Sequence, residues 1–148
     1  MDVNRQIPAV ASDEIFVEAA SETVWALQTD VNSWPGWRSD VSRAELEGGL
    51  DVGSVFRWRS GGFDVVSTVR EVEPGRHLGW TGRALGTRAV HTWTFEAREG
   101  GVLVRTEESF EGWLVWPLKG TMRKTLEGSL RTWLADLKRE AESGANRA

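Results

Sequence analysis

The chain has no cysteine, no tyrosine and only two histidines, His77 and His91, among its 148 residues. Without cysteine, neither a disulfide framework nor a thiolate metal site can form. Two histidines are too few for a histidine-rich metal centre. No metal and no cofactor is expected. The missing tyrosine removes the phenol as an interior acid. No apolar run approaches the roughly 20 residues that span a bilayer. The opening MDVNRQIPAVAS carries neither the basic nor the apolar region of a secretory signal. These absences lead to the expectation of a cytoplasmic protein with no membrane span. No glycine-rich segment has the spacing of a nucleotide-binding loop.

Charge of either sign is dispersed. The net charge is -4 at pH 7, and of the 18 basic residues the arginines, by far the majority, are scattered along the chain. That pattern lacks the basic stripe of a nucleic-acid binder, so no nucleic-acid partner is expected. What is abundant is tryptophan, with nine residues against five phenylalanines. Tryptophan combines a large apolar surface with one N–H to satisfy, which suits cores and aromatic-binding walls alike.

Neither repeats nor linkers divide the sequence, so residues 1–148 read as one domain, with 1–11 and 143–148 polar, small and expected to fray. From Asp13 to Ala20 alternation predicts a strand with Ile15, Val17 and Ala19 on one side. Ser21 is placed to cap a short helix from Glu22 to about Asp30, with Val24, Leu27 and Val31 inward. NSWPGW then breaks it into a Trp-rich turn. From Val41 onward, GGLDVG, SGG, EPGR, RALG and REGG punctuate runs rich in Val, Thr, Trp and Phe. That is the text of an antiparallel meander. From Leu114 to about Glu142 the period becomes helical, with Met122, Leu126, Leu130, Trp133, Leu134, Leu137 and Ala141 on one stripe and Pro117 in the first turn. About 26 residues of helix would run about 39 Å, enough to cross a small sheet. The fold class is α+β: a curved antiparallel sheet of about seven strands wrapped around a long C-terminal helix, with two short helices after the first strand.

Treating REGG as the loop of a hairpin sets Ala97 opposite Val102, and with it Phe95 opposite Val104, Trp93 opposite Thr106 and His91 opposite Glu108. A slip of one residue would mix polar and apolar faces. Extended across the other turns, the inner face gathers Phe56, Trp58, Val65, Ser67, Val69, Leu78, Trp80 and Ala89, while Arg57, Arg59, Asp64, Thr68, Arg70, Thr81 and Arg83 face out. The polar exceptions on the apolar face are Ser67, His91, Thr106 and Glu108.

In this order and spacing, IFVEAASETVWALQTDVNSWPGW, HLGW, VHTWTF, EESFEG and TWLADLKREAE resemble the SRPBCC superfamily, which includes START-domain carriers, Bet v 1-like proteins and polyketide cyclases. The resemblance runs from about Ile15 to Glu142 and is closest to the polyketide cyclase/dehydrase branch. It implies a helix-grip fold and an apolar ligand held between the sheet and the long helix. The chain departs from cyclases that use a tyrosine hydroxyl, since it has none.

Two functions of different class follow. The first is a binding protein for a hydrophobic, aromatic or polyketide-like small molecule. Its expected ligand contacts are Phe56, Trp58, Val69, Trp80, Trp93, Thr106, Phe110, Met122, Leu126 and Leu130. The second is a cyclase or dehydratase using His91 and Glu108 as an acid–base pair; the same pair could equally serve only to pin strand register. A third reading, partner binding with a collapsed cavity, predicts no uptake of small molecules. Trp113 and Trp116 would rim an entrance, Arg83 or Arg88 could gate it, and the chain would be a monomer or homodimer.

Overall fold

The structure is a computed structural model and describes residues 9–113 and 115–145. Seven strands form one antiparallel sheet: β1 (Ala9–Val17), β2 (Val41–Leu46), β3 (Val55–Ser60), β4 (Phe63–Glu73), β5 (His77–Ala84), β6 (Thr87–Arg98) and β7 (Gly101–Glu111). Their order across the sheet is β1-β7-β6-β5-β4-β3-β2, so β2 to β7 are a meander and β1 returns to the far edge beside β7. Between β1 and β2 lie α1 (Ser21–Thr29) and a 3-10 turn (Val31–Gly36). A second 3-10 turn, Trp116–Leu118, leads into α2 (Lys119–Ala145). This is the α+β helix-grip architecture expected from the alternation and the late change of period.

The hairpin register is the one the sequence implied, with His91 opposite Glu108 and Trp93 opposite Thr106. Ladder pairs then define rows across the concave face. One row reads Ala11, Glu108, His91, Trp80 and Val69. Its neighbour towards the β3–β4 and β5–β6 hairpin tips reads Ala9, Phe110, Ala89, Gly82, Ser67 and Phe56. A register shift between Val69 and Glu71 inserts an extra residue into β4, and such a bulge bends and twists the sheet around the helix.

The core is aromatic. Trp34, Phe56, Trp80, Trp93 and Trp133 are buried with Val24, Val69, Leu78, Val102, Val104 and Leu137 in one cluster. Trp133 of α2 is its hub, with ring centroids 4.8 Å from Trp93, 5.2 Å from Trp34 and 5.7 Å from Trp58. Leu126 and Leu130 pack separately on Ala11 and Phe110. The C-terminal half of α2 is anchored by polar contacts. Lys138 Nζ donates to Phe16 O at 2.8 Å, and the Glu18 backbone N–H donates to Glu142 Oε2 at 2.9 Å.

Local expectations needed four corrections. β1 begins at Ala9, inside the stretch expected to fray, because Ala9 and Ala11 continue the inward frame of Ile15 and Val17. The residue at the N-cap of α1 is Ala20; Ser21 is already helical and makes no capping hydrogen bond. The helical period begins with a 3-10 turn at Trp116, and α2 extends to Ala145, past the expected end. Met122 is half-buried rather than core. Leu114, residues 1–8 and residues 146–148 lie outside the described residues, as does the Trp116 side chain.

Candidate functional site

All four polar exceptions point to the concave side and are buried: Ser67, His91, Thr106 and Glu108. Ser67 accepts the Trp58 indole N–H at 3.0 Å, so it completes a core tryptophan. The Thr106 hydroxyl lies 3.0 Å from the Thr92 carbonyl, to which it can only donate. His91 Nε2 is 2.7 Å from the same oxygen. Having spent its one proton on Thr92, Thr106 must accept, and Nε2 therefore carries a hydrogen. Nδ1 is left facing Glu108 Oε2 in direct contact. Either an imidazolium donates to a carboxylate, or a carboxylic acid donates to a neutral imidazole. Either arrangement would put one proton between the two side chains, which the strand register sets opposite each other.

The pair is asymmetric in access. The His91 side chain is 1% exposed and that of Glu108 12% exposed. Trp80, Trp93 and Trp133 surround the imidazole with centroids 5.0, 5.1 and 5.1 Å away. A ligand on the concave face could therefore meet Glu108, while His91 would act through it.

Of the residues expected to touch a ligand, Phe56, Trp58, Val69, Trp80, Trp93 and Thr106 are buried against one another and against Trp34 and Trp133. Leu126 and Leu130 are buried on the sheet-facing side of α2, whereas Phe110 and Met122 are half-buried. The deep half of the concave face is thus filled by tryptophan. Small side chains, Ala89, Gly82 and Ser67, occupy the row towards the hairpin tips, with Ala89 only half-buried. Around that end stand Phe63, Leu85, Trp113 and Leu118, which are 63, 76, 71 and 47% exposed. Arg83 is exposed beside them, and Arg88 pairs with Glu111 at 3.7 Å. A separate surface concavity of about 580 Å³ lies between β1 and the flank of α2, lined by Val10, Ser12, Asp13, Arg123, Glu127 and Arg131.

Gln28 and Arg38 are among the interior polar residues that escaped sequence reasoning. Gln28 is fully buried on α1, where its Oε1 accepts the Trp133 indole N–H at 3.1 Å and its carbonyl accepts that of Trp34 at 3.2 Å. Its spacing, four residues after Val24, was a usable signal. Arg38 is wholly buried and lies over the Trp133 ring, 3.2 Å from its centroid. Desolvation lowers its pKa from the ordinary arginine range to about 10, against the opposing pull of Asp40, Glu108 and Asp136, and it remains cationic at neutral pH. Nothing in W-R-S-D distinguishes it from a surface arginine.

A curved sheet gripping one long helix, with a few buried polar groups on the concave side, fits the SRPBCC class. The sequence profile of the family described as polyketide cyclase / dehydrase and lipid transport matches residues 8–142, and the chain belongs to that family. Among solved structures, a hypothetical protein of Helicobacter pylori superposes with a TM-score of 0.82 at 20% identity, covering 93% of this chain and 90% of its own. A START superfamily protein of Mycobacterium smegmatis gives 0.79 at 15% identity, with 90 and 97% covered. The di-domain ARO/CYC StfQ of the steffimycin biosynthetic pathway gives 0.78 at 16% identity, covering 93% of this chain and 52% of that one. The chain thus spans about half the length of that di-domain protein. No curated protein matches. Among the described residues, no helix is long and apolar enough to cross a membrane.

Proposed function

We propose that the protein binds a hydrophobic, aromatic small molecule at the hairpin-tip end of the concave face. The ligand lies over Ala89, Gly82, Ser67 and their row-mate Phe110, with Met122, Leu126 and Leu130 of α2 on its other side and Glu108 as the polar contact. The observation that carries this reading is the row of small side chains directly beside rows filled by tryptophan. Apolar walls with a few convergent polar groups are the usual make-up of a small-molecule site. Phe56, Trp58, Val69, Trp80 and Trp93 then serve as a rigid back wall, and Thr106 orients His91. The family's description and the aromatase/cyclase named among the structural relatives support this class of ligand.

The test has two parts. Native mass spectrometry of the purified protein looks for a co-purifying molecule, and 2-naphthol titration follows tryptophan quenching. Saturable quenching is expected in the wild type and is lost in Ala89→Phe, whose melting temperature stays within a few degrees. Quenching by naphthol that survives Ala89→Phe unchanged would refute the placement.

A second reading, cyclisation or dehydration, is favoured by one observation: His91 and Glu108 are in direct contact, and Glu108 is the more exposed of the two side chains. Glu108 would move a proton to or from an aldol-type substrate while His91 holds or replaces it. Under this reading Glu108→Gln binds the substrate normally and fails to turn it over. Equal loss of binding and turnover would leave only the carrier.

A further inference from the structure

Deep in the concave face, the space between aromatic rings is taken by a cation. Besides its contact with Trp133, the Arg38 guanidinium carbon lies 5.2 Å from the Trp34 centroid and 5.3 Å from that of Trp58. The three rings also meet one another, with centroids 5.2 to 5.7 Å apart and near edge-on. A cation enclosed by aromatic faces is held by their quadrupoles, and most strongly where water is excluded.

The hydrogen bonding of this guanidinium is incomplete. Nη2 donates to Asp40 at 3.2 Å, while Nε and Nη1 are buried without a partner. Buried arginine is ordinarily satisfied by a carboxylate fork or by carbonyls. Here the seat answers the flat shape and the charge and ignores two of the three nitrogens. A flat cation carrying alkyl groups on the two unpartnered nitrogens would lose no hydrogen bond in such a seat.

We propose that Trp34, Trp58 and Trp133 form a binding site for a flat organic cation of the guanidinium or amidinium type, filled in this state by the chain's own Arg38. The tether is short and clamped. The Ser39 N–H and hydroxyl both donate to Asp136 Oδ2 at 2.8 Å, and Arg139 Nη2 donates to the Trp37 carbonyl at 3.1 Å. A tethered occupant held this way has a high effective concentration, so a free cation competes only when Arg38 is removed or the segment lifts. The site adjoins the small-residue row at Trp58, whose indole N–H Ser67 accepts, but its ligand has the opposite character.

The experiment uses the full chain with Arg38→Ala, titrated with N-propylguanidinium, tetramethylguanidinium and the neutral N-propylurea at matched ionic strength. Tryptophan fluorescence and melting temperature are read together. Both guanidinium compounds should give a saturable fluorescence change and raise the melting temperature of Arg38→Ala by several degrees. Propylurea should do neither, and wild type and Arg38→Met, whose seats are filled, should not respond. Should Arg38→Ala be unfolded alone, the two cations should restore its near-ultraviolet circular dichroism. The proposal is overturned if the cations give no saturable response, if propylurea matches them, or if wild type and Arg38→Met respond equally.

Discussion

Arg38 and Trp133 should be energetically coupled, and the geometry says by how much. Replacing Trp133 by leucine removes a fully buried indole, its hydrogen bond to Gln28 and five ring contacts. Large-to-small changes of that kind cost about 3–5 kcal/mol. Part of the cost is specific to Arg38, whose guanidinium carbon stands 3.2 Å from the lost ring's centroid with no water to replace it. A desolvated cation–π contact is worth about 2 kcal/mol. Arg38→Met alone should be nearly neutral, because it also removes a desolvated charge and leaves Asp40 with access to water. In the Arg38→Met background, then, Trp133→Leu should cost about 2 kcal/mol less than in the wild type. The assay is a double-mutant cycle from urea unfolding, followed by far-ultraviolet circular dichroism because the tryptophan signal itself changes. If Trp133→Leu costs the same in both backgrounds, within about 0.5 kcal/mol, the guanidinium is not held by the ring and the cage argument fails with it.

Thr106→Val should destabilise by about 1–3 kcal/mol, the cost of leaving His91 Nε2–H and the Thr92 carbonyl without partners; Thr106→Ser should recover most of it in the same urea assay. Gly112 has φ +129°, and an added Cβ would run into the Gly86 carbonyl oxygen, so Gly112→Ala should lose about 2 kcal/mol, read as a fall of about 4–8 °C in melting temperature. The Glu142 carboxyl is held below its ordinary 4.5, first by the Lys138 hydrogen bond and then by the Glu18 N–H. A depressed carboxyl stabilises the fold above its unfolded pKa, and that contribution fades as pH falls through the lowered value. Glu142→Gln should accordingly lower the melting temperature at neutral pH and flatten its decline below about pH 4.5, while an unchanged acid limb would exclude this carboxyl as its source.

The meander was legible because two independent signals agreed in it. Turn residues divided the strands, and the REGG loop set a register that sorted polar from apolar side chains with few exceptions, His91, Thr106 and Glu108 among them. That register alone brought His91 to Glu108. Where one signal was interrupted, reading failed: Asp13 breaks the apolar alternation of β1, so Ala9 and Ala11 were not recognised as its continuation. Asp13 is inward in register and opposite Thr106, but at the sheet edge it reaches the charged flank of α2 instead of the core. Arg38 was illegible for a different reason. Its environment is made by Trp133 on α2 and by Trp34 and Trp58, and no local pattern encodes contacts between such distant segments. The aromatic count in the composition was the only trace.

That count also decides where a ligand can go. In a helix-grip fold the concave face must be filled by side chains or by a guest, since interiors pack closely. Nine tryptophans in 148 residues, most of them inward, supply enough volume to fill the deep rows, and Arg38 closes the gap their flat rings leave. Filling those rows fixes His91 in place but removes it from contact with any guest. The row of Ala89, Gly82 and Ser67 carries only small side chains, of which Ala89 is the most exposed, and Glu108 stands in the row beside it. A tryptophan-rich interior of this kind therefore trades cavity depth for a rigid wall, and under the proposed function the ligand meets that wall at the boundary on which Glu108 stands.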